Sequence, residues 1–160
     1  MARVRIRSAR PDDRPALEDF LSRWHSLRVA RRGELAHPLD YPQLVAERDG
    51  QIVGVLTYVV DGRACEILTL HADERRNGVG TVLIEKLKCV ARDAGCTRLW
   101  VITTNDNVDA LRFYQRRGFR LAELRAGAVD DSRARLKPEI PAIGDHGIPL
   151  RDEIELEQDL

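Results

Sequence analysis

Cysteine is scarce in this chain of 160 residues: Cys65, Cys89 and Cys96 are its three, an odd number without Cys-x-x-Cys spacing. That argues against a disulfide framework or a cysteine-bound zinc, and suits buried thiols in a reducing compartment. Net charge is lacking as well. Lys plus Arg and Asp plus Glu both total 26, so no global basic field draws in nucleic acid. No apolar run approaches the length that spans a bilayer, and Met-Ala-Arg-Val-Arg-Ile-Arg at the start has no apolar signal core. No internal repeat or low-complexity segment is apparent. These absences leave a soluble, cytoplasmic, single domain over residues 1–160 as the expectation.

What is present has an order. Val4 and Ile6 alternate with arginines, as a half-buried strand does. Arg10-Pro11-Asp12-Asp13 reads as a helix start, and Leu17, Phe20, Leu21 and Trp24 follow at helical spacing. Residues 25–40 carry Arg28, Arg31 and Arg32 and suggest a short helix and loop, or simply a solvated basic face. Three strands come next, Gln43 to Arg48, Ile52 to Val60 and Ala64 to His71. Asp49-Gly50 and Asp61-Gly62 join them as hairpin turns.

Val82, Leu83, Leu87, Val90 and Ala91 mark a second helix that stops at Gly95. Leu99 to Ile102 reads as a central strand and Val108 to Arg117 as a third helix, ended by Gly118. Phe119 to Leu124 begins another strand. From about Ala126 to Pro149 the glycines and prolines predict a long extended loop without a helix, before a last strand from Ile148 to Glu157 with Ile154 and Leu156 turned inward. The fold class is thus an α/β sandwich with a largely antiparallel sheet, not a doubly wound one.

Two stretches carry chemistry. Arg75-Arg76-Asn77-Gly78-Val79-Gly80 lies between the strand ending near Leu70 and the helix beginning at Thr81. Glycines allow a sharp turn with main-chain N–H groups turned to a ligand, and the first helical turn leaves N–H groups unpaired where the peptide dipoles favour an anion. The guest is a phosphate or pyrophosphate, unless this is a plain strand-to-helix turn. No Lys-Ser/Thr follows the glycines, so it is not a nucleotide P-loop, and it does not fit Gly-x-Gly-x-x-Gly.

The turn does resemble the Arg/Gln-x-x-Gly-x-Gly motif with which the GNAT superfamily of acyl-CoA-dependent N-acetyltransferases holds the coenzyme A pyrophosphate. The segment from Asn107 to Phe119 is similar to the same superfamily's Asn-x-x-Ala-x-x-x-Tyr-x-x-x-Gly-Phe. The resemblance implies a splayed central pair of parallel strands, those ending near Leu70 and Thr103, with acyl-CoA entering the splay. By that resemblance the backbone of Arg76, Asn77, Gly78, Val79, Gly80 and Thr81 holds pyrophosphate, with charge from Arg75 and Arg76. The Leu70 N–H stabilises the oxyanion, and the Tyr114 phenol protonates the departing thiolate. Asn105 and Asn107 both occupy the region where the family has one cofactor- or acceptor-facing asparagine, and the choice between them stays open.

An amine acceptor needs a base. Glu66 stands four residues before Leu70, hence on its face by strand alternation, and is the first candidate, beside a structural ion pair. His71, on the opposite face, is the second. The expected reaction is acetyl transfer from acetyl-CoA, with no metal, to a small-molecule or peptide amine by direct attack in a ternary complex. A non-catalytic acyl-CoA-binding or regulatory protein of the same shape is the alternative. The resemblance also implies a homodimer and makes the loop of residues 126–149 a border of the acceptor. Asp152 or Glu153 then attracts a cation or, more simply, pairs with Arg120 or Arg125.

Overall fold

Ile6 between Arg5 and Arg7 gives the first strand, β1 (Arg5–Ser8). A 3-10 turn at Pro11–Asp13 leads into α1 (Arg14–Arg23), and the Arg10 N–H donates to the Asp13 carboxylate at 2.6 Å to close that entry. In this computed structural model, residues 3–73 and 78–160 are described. The remaining elements are β2 (Val29–Arg31), β3 (Glu34–Ala36), β4 (Gln43–Arg48), β5 (Gln51–Asp61), β6 (Ala64–Ala72) and α2 (Val79–Asp93). After them come β7 (Arg98–Thr104), α3 (Val108–Arg116), β8 (Arg120–Arg125), α4 (Ala128–Arg135) and β9 (Glu153–Asp159). The strands form a mostly antiparallel seven-stranded sheet with one parallel pair, plus a two-stranded ribbon, in keeping with the expected fold class.

The residues cluster into two compact units. The first comprises residues 1–28, 37–99 and 160, and the second residues 29–36 and 100–159. In the first, the strands run β1-β4-β5-β6, all antiparallel. Both hairpins form: at the first, Asp49 and Gly50 adopt left-handed φ values of 53° and 78°, whereas the second turns one residue later than expected, at Gly62-Arg63, because Asp61 still pairs with Ala64. Leu17, Phe20 and Leu21 of α1 pack on the sheet face that carries Val45 and Val55. The other face receives α2 at Gly54. A Cβ there would come within 2.7 Å of Val79 Cγ1 and 3.3 Å of Leu83 Cδ1, so only glycine lets the helix sit this close.

In the second unit, β9 lies between β7 and β8. Two expectations fail here. Residues 25–40 contain no helix of α type: Val29–Arg31 and Glu34–Ala36 form a ribbon around an Arg32-Gly33 turn, with both residues at positive φ. Arg-Gly lacks the Asn or Asp that usually announces such a turn. The stretch of residues 126–149 is not wholly a loop either, since α4 fills its first third. The prolines that argue against a helix begin at Pro138, beyond the end of α4. Asp130 and Asp131 stand in its first turn and Arg133 and Arg135 in its last, matching the helix dipole. The final strand starts at Glu153, later than expected. Leu156 is fully buried, but Glu153 and Glu155 are buried more deeply than Ile154.

Candidate functional site

The first unit supplies the candidate anion cradle and the strand before it. Gly78 caps α2 with φ 77°, and its carbonyl accepts from the Val82 N–H at 3.1 Å. The N–H groups of Val79, Gly80 and Thr81 therefore belong to the first turn of a 15-residue helix, where the peptide dipoles converge. Val79 is buried against the sheet at Gly54, which fixes this helix end in place. Arg75, Arg76 and Asn77 lie outside the described residues.

Strand β6 departs from simple alternation. Leu70 pairs with Leu56 and Thr69 with Thr57, but Ile67 pairs with Tyr58 and Glu66 with Val59, leaving Leu68 as an extra residue. This β-bulge reverses the parity of everything before it. Leu56 and Val59 are three apart on β5 and so face opposite ways; their partners Leu70 and Glu66 do the same. The expectation that Glu66 shares a face with Leu70 is thus wrong, and so is the placing of His71 opposite Glu66. Glu66, Thr69 and His71 share one face, and the Thr69 hydroxyl donates to the Thr57 hydroxyl there at 2.8 Å.

Glu66 is 3% exposed. His71 is held more openly: its ring stacks on Trp24 with centroids 5.0 Å apart and planes within 7°, and its Nε2 meets the Ser26 hydroxyl at 2.8 Å. The neighbouring Cys65 thiol is pushed up to about 12, by burial first and then by Cys96 and Glu66. It stays protonated and inert at neutral pH.

The second unit supplies Tyr114. The buried ring stands edge-on to Phe113 and Phe119, with centroids at 5.2 Å and 5.3 Å. Burial raises the phenol above its ordinary value, so it keeps its proton. Among the described residues its hydroxyl has no hydrogen-bonding partner, so it can donate to a bound molecule.

Before α3, three consecutive polar side chains each hold something different. Asn105 Oδ1 accepts from the N–H groups of Arg151 and Asp152 at 3.0 Å and 2.9 Å, and its Nδ2 donates to the Pro149 carbonyl at 2.8 Å. Asn107 caps α3, accepting from the Ala110 N–H at 3.0 Å. Between them Asp106, 6% exposed, accepts from the Thr104 hydroxyl and from the Asp145 N–H at 2.9 Å. Gly144 presses on that carboxylate so closely that no Cβ would fit. The two asparagines stand out in the sequence, whereas Asp106 does not. The only signal for it was a run of residues whose side chains readily bind backbone.

The rest of the tail is fixed by α4. Arg133 donates to the carbonyls of Ile140, Pro141 and Leu150 at 2.8–2.9 Å. Asp152 accepts from the Gly127 N–H at 2.8 Å. Glu153 and Glu155 pair with Arg125 at 3.8 Å and 2.7 Å, which is the simpler of the two roles weighed for Glu153.

The pattern of a glycine-capped helix after a bulged strand, and a buried tyrosine on the helix after the next strand, has clear relatives. The profile of the Acetyltransferase (GNAT) family matches residues 6–119. The chain belongs to the GNAT acetyltransferase family. An uncharacterized protein of Bacillus subtilis (strain 168), YdhI, is 47% identical over 105 residues, which is 66% of this chain and 65% of that protein. The chain thus matches just under two thirds of that relative's length. Among solved structures, the IAA acetyltransferase from Bacillus cereus ATCC 14579 superposes with a TM-score of 0.71 at 24% identity, covering 99% of this chain and all of that one. A GNAT family acetyltransferase from Elizabethkingia anophelis with acetyl-CoA bound gives a TM-score of 0.71 at 19% identity, over 98% of each chain. Both likenesses show the GNAT fold.

No helix among the described residues is long and apolar enough to cross a membrane. No group of His, Cys, Asp and Glu among them is arranged to hold a metal ion.

Proposed function

We propose that this protein transfers the acetyl group of acetyl-CoA to a primary amine on a small molecule or peptide, by direct attack in a ternary complex. The observation that carries the proposal is Tyr114, a buried phenol whose proton is retained and whose hydroxyl has no internal partner among the described residues. A departing coenzyme A thiolate needs such a donor. The bound acetyl-CoA of the Elizabethkingia anophelis structure supports the choice of acyl donor. The first turn of α2, from Gly78 to Thr81, receives the pyrophosphate on its N–H groups, and the charges of Arg75 and Arg76 favour it. The Leu70 N–H faces the developing oxyanion.

Glu66 remains our first base. It acts through water, because it stands along the strand from Leu70 and faces the other side. His71 on the same face is the alternative. Asn105 and Asn107 fix the tail and the start of α3, and we assign both to contact with the cofactor.

The test is acetyl-CoA consumption, read as free thiol, across small amines, amino acids and peptides, beside calorimetric measurement of acetyl-CoA binding. Turnover with at least one amine is the expected result. Tight acetyl-CoA binding without turnover of any amine would replace this proposal by that of a non-catalytic acyl-CoA-binding protein.

A further inference from the structure

The turn of the β2–β3 ribbon is built around the wrong residue for a turn. Arg31 pairs with Glu34, so Arg32 and Gly33 form a two-residue loop, with φ of 53° and 75°. Glycine and asparagine take that left-handed conformation readily, whereas an arginine is strained in it. Strain that persists must be held by its surroundings, and it gathers where a side chain has work to do.

Two contacts hold Arg32. Its main-chain N–H donates to Glu153 Oε1 at 3.2 Å, a carboxylate 2% exposed. Its guanidinium lies over the ring of Trp100, Cζ 5.1 Å from the centroid, and that indole is itself buried. A guanidinium stacked on a rigid aromatic face is already oriented, so its planar fork meets a carboxylate with little further ordering. The other arginines nearby are neutralised inside the unit: Arg31 by Glu34, Arg125 by Glu123 and Glu155, and Arg135 by Asp131. Arg32 is exposed and, among the described residues, its guanidinium has neither a carboxylate nor a hydrogen-bond partner.

The surroundings also select the kind of anion. The Arg135 guanidinium stands over the same turn, 3.9 Å from where a Gly33 Cβ would be, but Asp131 already neutralises it. Glu153 lies beneath. One uncompensated positive charge above a buried acid suits a monoanion and disfavours a phosphate dianion. Trp100 begins the part of β7 that leads through Asn105–Asn107 to Tyr114, within the same unit.

We propose that Arg32, stacked on Trp100, binds a carboxylate carried by the acceptor, so that the substrates are amino acids and not polyamines or other polycations. The proposal rests on the acetyltransferase reading for the word acceptor, but the binding site itself does not. The experiment uses a Trp24→Phe background, which leaves Trp100 as the only fluorophore of the two tryptophans. The common amino acids and, separately, their carboxamides and inorganic phosphate are titrated in the presence and absence of saturating coenzyme A.

At least one amino acid is expected to change Trp100 emission saturably, with its carboxamide and phosphate about 10-fold weaker or worse. Arg32→Asn suits the turn better than arginine, so it should fold at least as stably, lose that response, and keep acetyl-CoA affinity. Arg32→Lys should recover only part of it. An equal response to the carboxamide, tighter binding of phosphate, a response that survives Arg32→Asn, or no response to any amino acid would overturn the proposal. So would a fall in acetyl-CoA affinity in Arg32→Asn, which would assign the arginine to the cofactor. Thiol release with the same panel reports separately on the acetyltransferase reading.

Discussion

Glu66 and His71 face the same side of β6 although five residues separate them, because Leu68 is an extra residue in the strand. They nevertheless lie on the order of 15 Å apart along the strand, too far to serve one amine as equals. Substitution separates them. Glu66→Gln should lower kcat/KM mainly on the acidic side of the pH profile, where the acceptor amine is hardest to deprotonate. His71→Gln should leave that profile in place. A shift of the acidic limb with His71→Gln alone would move the base to the histidine.

Tyr114→Phe removes one oxygen from a packed aromatic cluster and keeps the ring contacts with Phe113 and Phe119. We expect kcat to fall by about 100-fold or more, with acetyl-CoA affinity unchanged by calorimetry. Because burial holds the phenol above its ordinary value, wild-type turnover should not fall away as pH rises through about 10 for reasons of tyrosine ionisation. A full rate in the Phe variant would take the acid role from this residue.

Gly54 is where α2 meets the sheet. Gly54→Val puts atoms where Val79 and Leu83 already are, and should cost about 1–3 kcal/mol in urea unfolding. Since Val79 is in the first turn of α2, acetyl-CoA binding should weaken as well. Leu87→Ala, which removes core volume further along the same helix, serves as the control. It should lose stability with a smaller effect on the cofactor. Equal loss of affinity in both would mean that Gly54 does not act through the helix start.

Arg7 and Asp13, each with an 11% exposed side chain, form a two-point ion pair at 2.7 Å and 2.9 Å, and Arg7 also meets Glu47 at 3.1 Å. The Arg7 hydrogen bond, above all, holds the Asp13 carboxyl well below the usual carboxylate range. Its contribution is therefore complete above the unfolded carboxylate value of about 4 and is lost as pH falls through the folded one. Asp13→Asn should cost about 2–3 kcal/mol at pH 7 and flatten the acid limb of stability against pH. An acid limb as steep as that of the wild type would assign the acid sensitivity to other carboxylates.

The hairpin at Asp49-Gly50, the next one to within a residue, the α2 stripe and the Asn107 to Phe119 segment were legible because each is written locally, in turn chemistry or helical period. What was not legible depends on partners far along the chain. The bulge at Leu68 leaves no mark in a run of apolar residues, yet it decides which way Glu66 faces. Helix α4 has no apolar stripe. Its place is set by Val129 and Ser132 being buried and by Arg133 holding backbone carbonyls up to 17 residues away. The turn at Arg32 breaks the usual residue preference and is stabilised by Glu153, 121 residues later.

Asn105 and Asp106 share a consequence for the order of assembly. Their partners at Asp145, Pro149, Arg151 and Asp152 arrive 39 to 47 residues downstream. During synthesis these side chains are made long before anything exists for them to grip. The closing of residues 142–152 onto this junction is therefore a late event, and a chain stalled before Asp145 leaves a buried carboxylate without one of its ligands.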